Sequence, residues 1–285
     1  MSGPLIRSLR SPRVWIAFAM VMGVGFCAVF AGAIAPHDPA EQNLLSILLP
    51  PAWLQGGDPS FPLGTDSLGR DVLSRLIYGA RTAMIVAFFA SVGAMIIGTV
   101  LAHISGYFGG AVDWIIGRLV DVWMSFPPVI LSLILMVGLG VGLDRVILAI
   151  VLVDWTRFCR VLRSEVLIVT RKDYVSAARL LGFSHWQAIV REVFPATLPL
   201  LITLFSLEMA IAVVVEAILS FVGLGVGPDQ AAWGQMIADA RQYVYQSPWN
   251  LLLPILCIFF TVAAFNLLGD GLRRTLDVRL AETGH

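Results

Sequence analysis

Apolar runs of near-membrane length constrain this chain more than any other feature. A hydrocarbon core of about 30 Å takes roughly 20 residues of helix to cross. Val14–Ala35, Thr82–Ala102, Leu119–Val141 and Leu251–Leu268 approximate that length, and Pro199–Leu224 does so while carrying Glu208 and Glu216. Val146–Val169 is a sixth candidate, interrupted after two turns by Asp154, Arg157, Arg160, Arg163 and Glu165. Of 285 residues, 58% are hydrophobic and 13% charged, whereas a soluble domain carries roughly 25% charged residues. A water-soluble sphere of this length could not hide so much apolar surface. The expected fold class is an all-α membrane protein with six transmembrane helices.

Cationic residues set the orientation of such a bundle. With the N-terminus inside, 14 of the 19 Lys and Arg residues fall on the cytoplasmic side. Only Arg70, Arg75, Arg81, Arg145 and Arg241 lie outside. Six spans with both termini in the cytoplasm fit this bias. The first run also has the basic start and small residues (Ala31, Ala33, Ala35) of a cleaved leader, but a leader's apolar region is usually about 7–15 residues. Its greater length argues for a retained span.

Between the first two runs, Pro36 to about Tyr78 reads as an external segment with six prolines. Thr65 or Asp66 could cap a helix with Leu68, Val72, Leu73, Leu76 and Ile77 at helical spacing, lying on the membrane surface before the second run. Arg70 and Asp71 read there as solvated face residues. In the second run Ala90, Ala94, Gly98 and Ala102 recur every four residues, as in helices that pack closely in lipid. Arg118 and Asp121 are placed for an i,i+3 salt bridge. Pro127-Pro128 should bend the third run. Gly223 and Gly225, in a glycine-dense stretch after the fifth, predict a bend or re-entrant piece.

The polar island Asp173–Pro195, DYVSAARLLGFSHWQAIVREVFP, falls on the cytoplasmic side. Thr170 with Asp173 reads as one capping box and Ser184 with Gln187 as a second. Tyr174, Ala177, Ala178 and Leu181 form an apolar face, Gly182 sits where a helix ends with positive φ, and Pro195 and Pro199 should stop the second helix. The pattern predicts two short helices meeting at a glycine corner.

Taken together, GTDSLGRDVLSRLIYGART, GYFGGAVDWIIGRLVD, DYVSAARLLG…FP, LSFVGLG…AWG and FNLLGDGLRRTLD resemble the peptide- and nickel-importing branch of binding-protein-dependent ABC-transporter permeases. The resemblance runs from about Asp38 to the end, and within that branch it is to the second permease subunit. It implies a type I ABC importer permease architecture in the bacterial inner membrane, with an EAA-type coupling loop (170–195) that seats in an ATP-hydrolysing subunit. Tyr174, Ala177, Ala178, Gly182 and Pro195 are then the coupling residues. Ser176 stands where the family has glutamate, Phe194 replaces the usual Leu, Ala196 follows Pro195 where Asn is common, and Val278 replaces a proline. The implied organisation is a tail and first span (1–35), an external loop with its amphipathic helix (36–78), a five-helix core (79–272) and a cytoplasmic tail (273–285). The implied partners are a homologous second permease, two ATPase subunits, an external substrate-binding protein and lipid. No cofactor is expected on this chain, since ATP and Mg belong to the ATPase subunits.

The residues also limit the chemistry. A P-loop requires Gly-Lys-[Ser/Thr], and the only lysine, Lys172, lies between Arg171 and Asp173. HExxH and GxSxG are missing, and His37, His103, His185 and His285 are scattered, as are Cys27, Cys159 and Cys257; no metal site is expected. Glu208 and Glu216 lie roughly 12 Å apart along one helix, too far for an aspartic-protease-like dyad. There is no basic stripe for nucleic acid. Asp154, Glu208 and Glu216 would line a path or bond between subunits. A passive channel or secondary transporter would use them as a relay, but would not need the island. Pro127, Pro128, Gly223 and Gly225 are gate or bend candidates. Peptide is the expected cargo, and nickel or another chelated metal the alternative.

Overall fold

The computed structural model describes residues 12–227 and 230–282, with side chains from Trp15 to Gly271. The expected basic tails, with Arg7, Arg10, Arg273, Arg274 and Val278, therefore lie outside the described side chains. Among the described residues the chain is helical, without a named strand. Its helices are α1 (Pro12–Val29), α2 (Ala31–Ile34), α3 (Val72–Phe108), α4 (Gly110–Met124), α5 (Pro128–Leu139), α6 (Leu143–Thr170), α7 (Asp173–Leu180), α8 (His185–Ala188), α9 (Phe194–Phe221), α10 (Trp233–Ala240) and α11 (Pro248–Glu282). A π-helical turn, Ile189–Val193, joins α8 to α9, and a 3-10 turn, Arg241–Tyr243, follows α10.

Length and composition give three helices able to cross a membrane among the described residues, or four if the pair α4–α5 counts as one bent span. The expectation was six. The difference has two sources: the described apolar part of α1 is only Trp15–Val29, and α6 carries too many charges. The third run is not one rod from Leu119. Its helix begins at Gly110, and the break before Pro128 turns the axis by 86°, because Pro128 has no N–H to continue the ladder.

The long helix α3 is the centre of the bundle. Its small-residue stripe does what its spacing predicts: Ala90, Ala94, Gly98 and Ala102 are all buried. A Cβ on Gly98 would come within 2.9 Å of the Cys159 backbone N, and one on Gly106 within 2.7 Å of Val166 Cγ1, so α6 lies directly against this stripe. Lipid tails are as apolar as leucine, so close approach and dispersion contacts hold such helices together. Phe158, Leu162, Met136 and Leu219 fill the layers that α6, α5 and α9 build around α3. On another side α1, α10 and α11 pack against it, with Trp233 donating its indole N–H to Leu76 O at 3.0 Å.

Two expectations for the segment before α3 are overturned. No separate surface helix begins at Thr65 or Asp66. Asp71 is the N-cap, accepting from Ser74 N at 2.8 Å, and the helix runs unbroken from Val72 into the span. Arg70 and Asp71 are buried rather than solvated: Asp66 of the loop and Asp239 of α10 pair with Arg70, and Ser74 and His37 face Asp71.

Candidate functional site

Three groups of side chains stand out, and the island is the first. Its first helix ends as its glycine predicts. Gly182 has φ +95°; Phe183 N donates to Ala178 O and Gly182 N to Arg179 O, both at 3.1 Å. These are the two bonds of a Schellman ending. The Ser184–Gln187 capping box forms with both of its bonds. The Thr170–Asp173 box does not: Lys172 is the N-cap and no side chain caps it.

The faces of the island differ from the expected ones. Val175 turns inward onto Val166, Val169 and Val193, and Ala178 is buried on the same side of the helix. Ala177 and Tyr174 face outward, and Leu180 and Leu181 are 89% and 82% exposed. The inward set is fixed by which side of α7 meets the end of α6, information that a helical period does not contain. Burial, with Glu192 and Glu165 nearby, raises the Tyr174 hydroxyl above its ordinary pKa. His185 ties the island to the end of α3 through Tyr107 Oη at 3.2 Å, and Arg179 donates to Phe183 O at 2.8 Å.

Pro195 does not stop the second helix. It lies in the first turn of α9, and Pro199 lies inside that helix. Pro195 offers no N–H to the carbonyl four residues back, and the backbone widens into the π-turn, with Phe194 N bonded to Ile189 O, before resuming α-geometry. His185 to Phe221 is therefore one 37-residue helical segment, and the island is continuous with a span.

The second group lies mid-bundle between α6 and α9. Asp154 and Glu208 are buried, and Arg157 bridges them at 3.6 and 3.4 Å. Glu216 is buried elsewhere and accepts from Ser220 Oγ at 2.6 Å. The two glutamates thus have separate partners, and the carboxylate next to Glu208 belongs to another helix, which spacing along α9 could not disclose. Near the island end, Arg163 of α6 is paired with Asp113 of α4, whose carboxylate also accepts from Ser105. Arg118 and Asp121 pair at 3.3 Å on the surface, as their spacing predicts. His103 is satisfied within the bundle, by Thr99 O at 2.8 Å and Thr197 Oγ1 at 3.2 Å.

The third group, at the opposite end, went unread in the sequence. Asp66 accepts from Arg70 Nε at 2.7 Å and from Arg75 Nη1 at 3.0 Å. Asp239 of α10 accepts from Arg70 at 3.2 Å. Burial raises the Asp239 carboxyl above its ordinary pKa against the opposing pull of Arg70. Asn250 Nδ2 donates to Thr65 O at 2.9 Å, and Thr82 Oγ1 to Ala231 O at 2.8 Å. The i,i+4 spacing of Asp66 and Arg70 was the only local signal for this network. At the same end Gly223 (φ +84°) closes α9 with a second Schellman pair, Leu224 N to Leu219 O at 2.9 Å and Gly223 N to Ser220 O at 3.1 Å. A Cβ on Gly225 would fall 2.5 Å from Ser220 Cα, and Gly225 O accepts from Gly142 N at 3.1 Å. The glycine stretch is a tight bend packed on the α5–α6 connection.

Residues 94–282 match the family model described as binding-protein-dependent transport system inner membrane component. A dipeptide transport system permease of Escherichia coli K12 is 41% identical, over 96% of this chain and 91% of its own length. A di/tripeptide transport system permease of Pseudomonas aeruginosa is 40% identical, over 90% and 84%. A nickel transport system permease of E. coli K12 is 39% identical, over 86% of each chain. Among solved structures, a chain from inward-facing conformations of the MetNI methionine ABC transporter superposes with a TM-score of 0.55 at 18% identity. It covers 71% of this chain and 96% of that one, and at this identity the likeness is one of fold.

Proposed function

Because the chain belongs to the family of binding-protein-dependent transport system inner membrane components, we propose that it forms half of the translocation path of an ATP-driven importer of di- or oligopeptides. The permease role comes with the family. The cargo is inferred from relatives named for peptide transport at 40% and 41% identity. Both termini and the island lie in the cytoplasm, as the cationic bias requires. The other half of the path is a homologous permease, and an external binding protein delivers the cargo to the opposite end.

The observation that carries this reading is the island's geometry. Leu180 and Leu181 stand exposed beside a rigid glycine corner, an apolar surface suited to a partner's groove. The helix beyond that corner runs into α9 without a break. A push on the corner is transmitted along a rod rather than lost in a loop. With no P-loop on this chain, the push comes from two separate ATPase subunits, which bind the ATP and Mg. Tyr174, Ala177 and Gly182 contribute to the docking surface and its shape. Ala178 and Pro195 act behind it, Ala178 by seating α7 on the bundle and Pro195 by setting the π-turn. The Pro127-Pro128 break is the joint at which the bundle changes its opening and the packed Gly223–Gly225 bend the frame it works against, with Asp154, Glu208 and Glu216 holding neighbouring helices in register.

Reconstitution tests this directly. The chain, its companion permease, the ATPase pair and the binding protein in vesicles should import labelled dipeptide only with ATP and binding protein present. Dipeptide flux driven by a gradient without ATPase subunits would overturn the importer reading. Uptake of nickel but not dipeptide would reassign the cargo.

A further inference from the structure

A cavity of about 460 Å³ lies between α4 and α6, in the half of the bundle nearer the island. That is within the roughly 300–1,000 Å³ usual for small-molecule sites. Three guanidiniums, Arg118, Arg160 and Arg163, and two carboxylates, Asp113 and Asp121, line it. Asp113 is committed to Arg163. Arg118 and Asp121 are paired, with side chains 65% and 51% exposed, and such surface pairs are weak and exchange readily. That leaves one positive charge over. Arg160 is exposed at the cavity and reaches the Met124 sulfur at 3.5 Å, and among the described residues no carboxylate pairs with it.

Ionisable groups in the helices of a membrane bundle normally pair with one another or face a water-filled path. Arg157 and Arg163, one turn either side of Arg160 along α6, both have carboxylate partners, on α9 and α4 respectively. The middle member of the ladder has none and opens into a cavity. Met124, which it touches, stands one turn from Asp121 on α4, so an unpaired cation and a loosely held carboxylate share one space. A hollow presenting both signs suits a small molecule carrying both.

We propose that this cavity is a cargo station within the permease. It binds a zwitterionic dipeptide with the α-carboxylate on Arg160 in a charge-assisted contact and the α-ammonium on Asp121. The station rests on the peptide-importer reading and adds to it: the free termini of the cargo are read a second time, in the cytoplasmic half of the permease, after the binding protein has let go.

Gly117 lines the same cavity, and a side chain added there meets nothing within 4 Å, so Gly117→Cys places a thiol in it. In the assembled, nucleotide-free transporter, maleimide should label this thiol above the background of the wild-type cysteines. Excess dipeptide should slow the labelling, whereas the same peptide N-acetylated or C-terminally amidated should not. Adding Arg160→Gln should raise the protecting dipeptide concentration by about tenfold or more, the loss of one charge-assisted contact, and Arg160→Lys should recover part of it. Absence of labelling without peptide means that the companion permease fills the space, and overturns the proposal. Equal protection by the blocked peptides, or protection unchanged in Arg160→Gln, also overturns it. Dipeptide uptake by the wild-type transporter is scored separately, so failure of the station and failure of the peptide reading are distinguishable.

Discussion

Two glycine corners end helices of this chain with the same pair of backbone bonds, one at Gly182 and one at Gly223. A Cβ added to either glycine would touch nothing within 4 Å, and the difference lies in what surrounds the corner. Beside Gly182 the leucines project into open space. The turn after Gly223 is packed: Gly225 lies on the Ser220 backbone, and Gly234, a few residues on, lies on that of Ala217. Close by, at the same end, a buried arginine–aspartate network ties the outer loop to α10. The same local motif therefore serves one surface left open for a partner and another built as a fixed frame. A lever needs this asymmetry, since a push at one end is useful only if the other resists.

Substitutions should separate the two ends. The largest loss is expected for Arg75→Ala, which leaves Asp66 short of a buried partner. Breaking such a pair costs about 3–5 kcal/mol, read as a lowered unfolding midpoint of the purified complex. Gly234→Ala comes next, because its methyl meets backbone atoms of Ala217 that cannot rotate away; overpacking of this kind costs about 1–3 kcal/mol. Gly182→Ala has room for its methyl but not the backbone preference, and should cost about 1 kcal/mol. The smallest effect on the fold is expected for Leu181→Asp, within about 0.5 kcal/mol as for other surface changes. That variant should nonetheless abolish ATP-dependent import and co-purification with the ATPase subunits. Normal import by Leu181→Asp would break the contrast between the corners, and so would equal destabilisation by Gly182→Ala and Gly234→Ala.

Ala178 sharpens the same contrast from within the island. Its side chain is buried within the chain rather than open to a partner, so Ala178→Arg should lower the stability of the bundle end as well as import. Ala177→Arg, on the outward face, should affect import alone. Thermal unfolding and uptake measured on both variants check the assignment of faces.

Most features carried by a few consecutive residues were legible, the Thr170–Asp173 box excepted. The Ser184–Gln187 box, the positive φ of Gly182, the small-residue stripe of α3 and the Arg118–Asp121 pair each depend on contacts within about one turn, or on the helical period alone. Other features failed where distance entered. Arg70 reads as a surface residue until Asp239, 169 positions later, is brought to it. Pro195 reads as a helix stop until the π-turn before it absorbs the missing N–H. Asp154 and Glu208 read as path-lining or inter-subunit groups, and nothing in their spacing discloses that Arg157 bridges them across two helices. The inward face of α7 depended on where α6 ends beneath it.

Apolar run length and charge poverty were enough to require a membrane bundle, and the order of motifs was enough to require a transport permease, because both are properties of the chain read along its length. Packing settled which charges are paired, which corner stays open and that, among the described residues, Arg160 has no counter-charge in its cavity. Those outcomes depend on which faces of distant helices meet, and helical period specifies a face without specifying its neighbour.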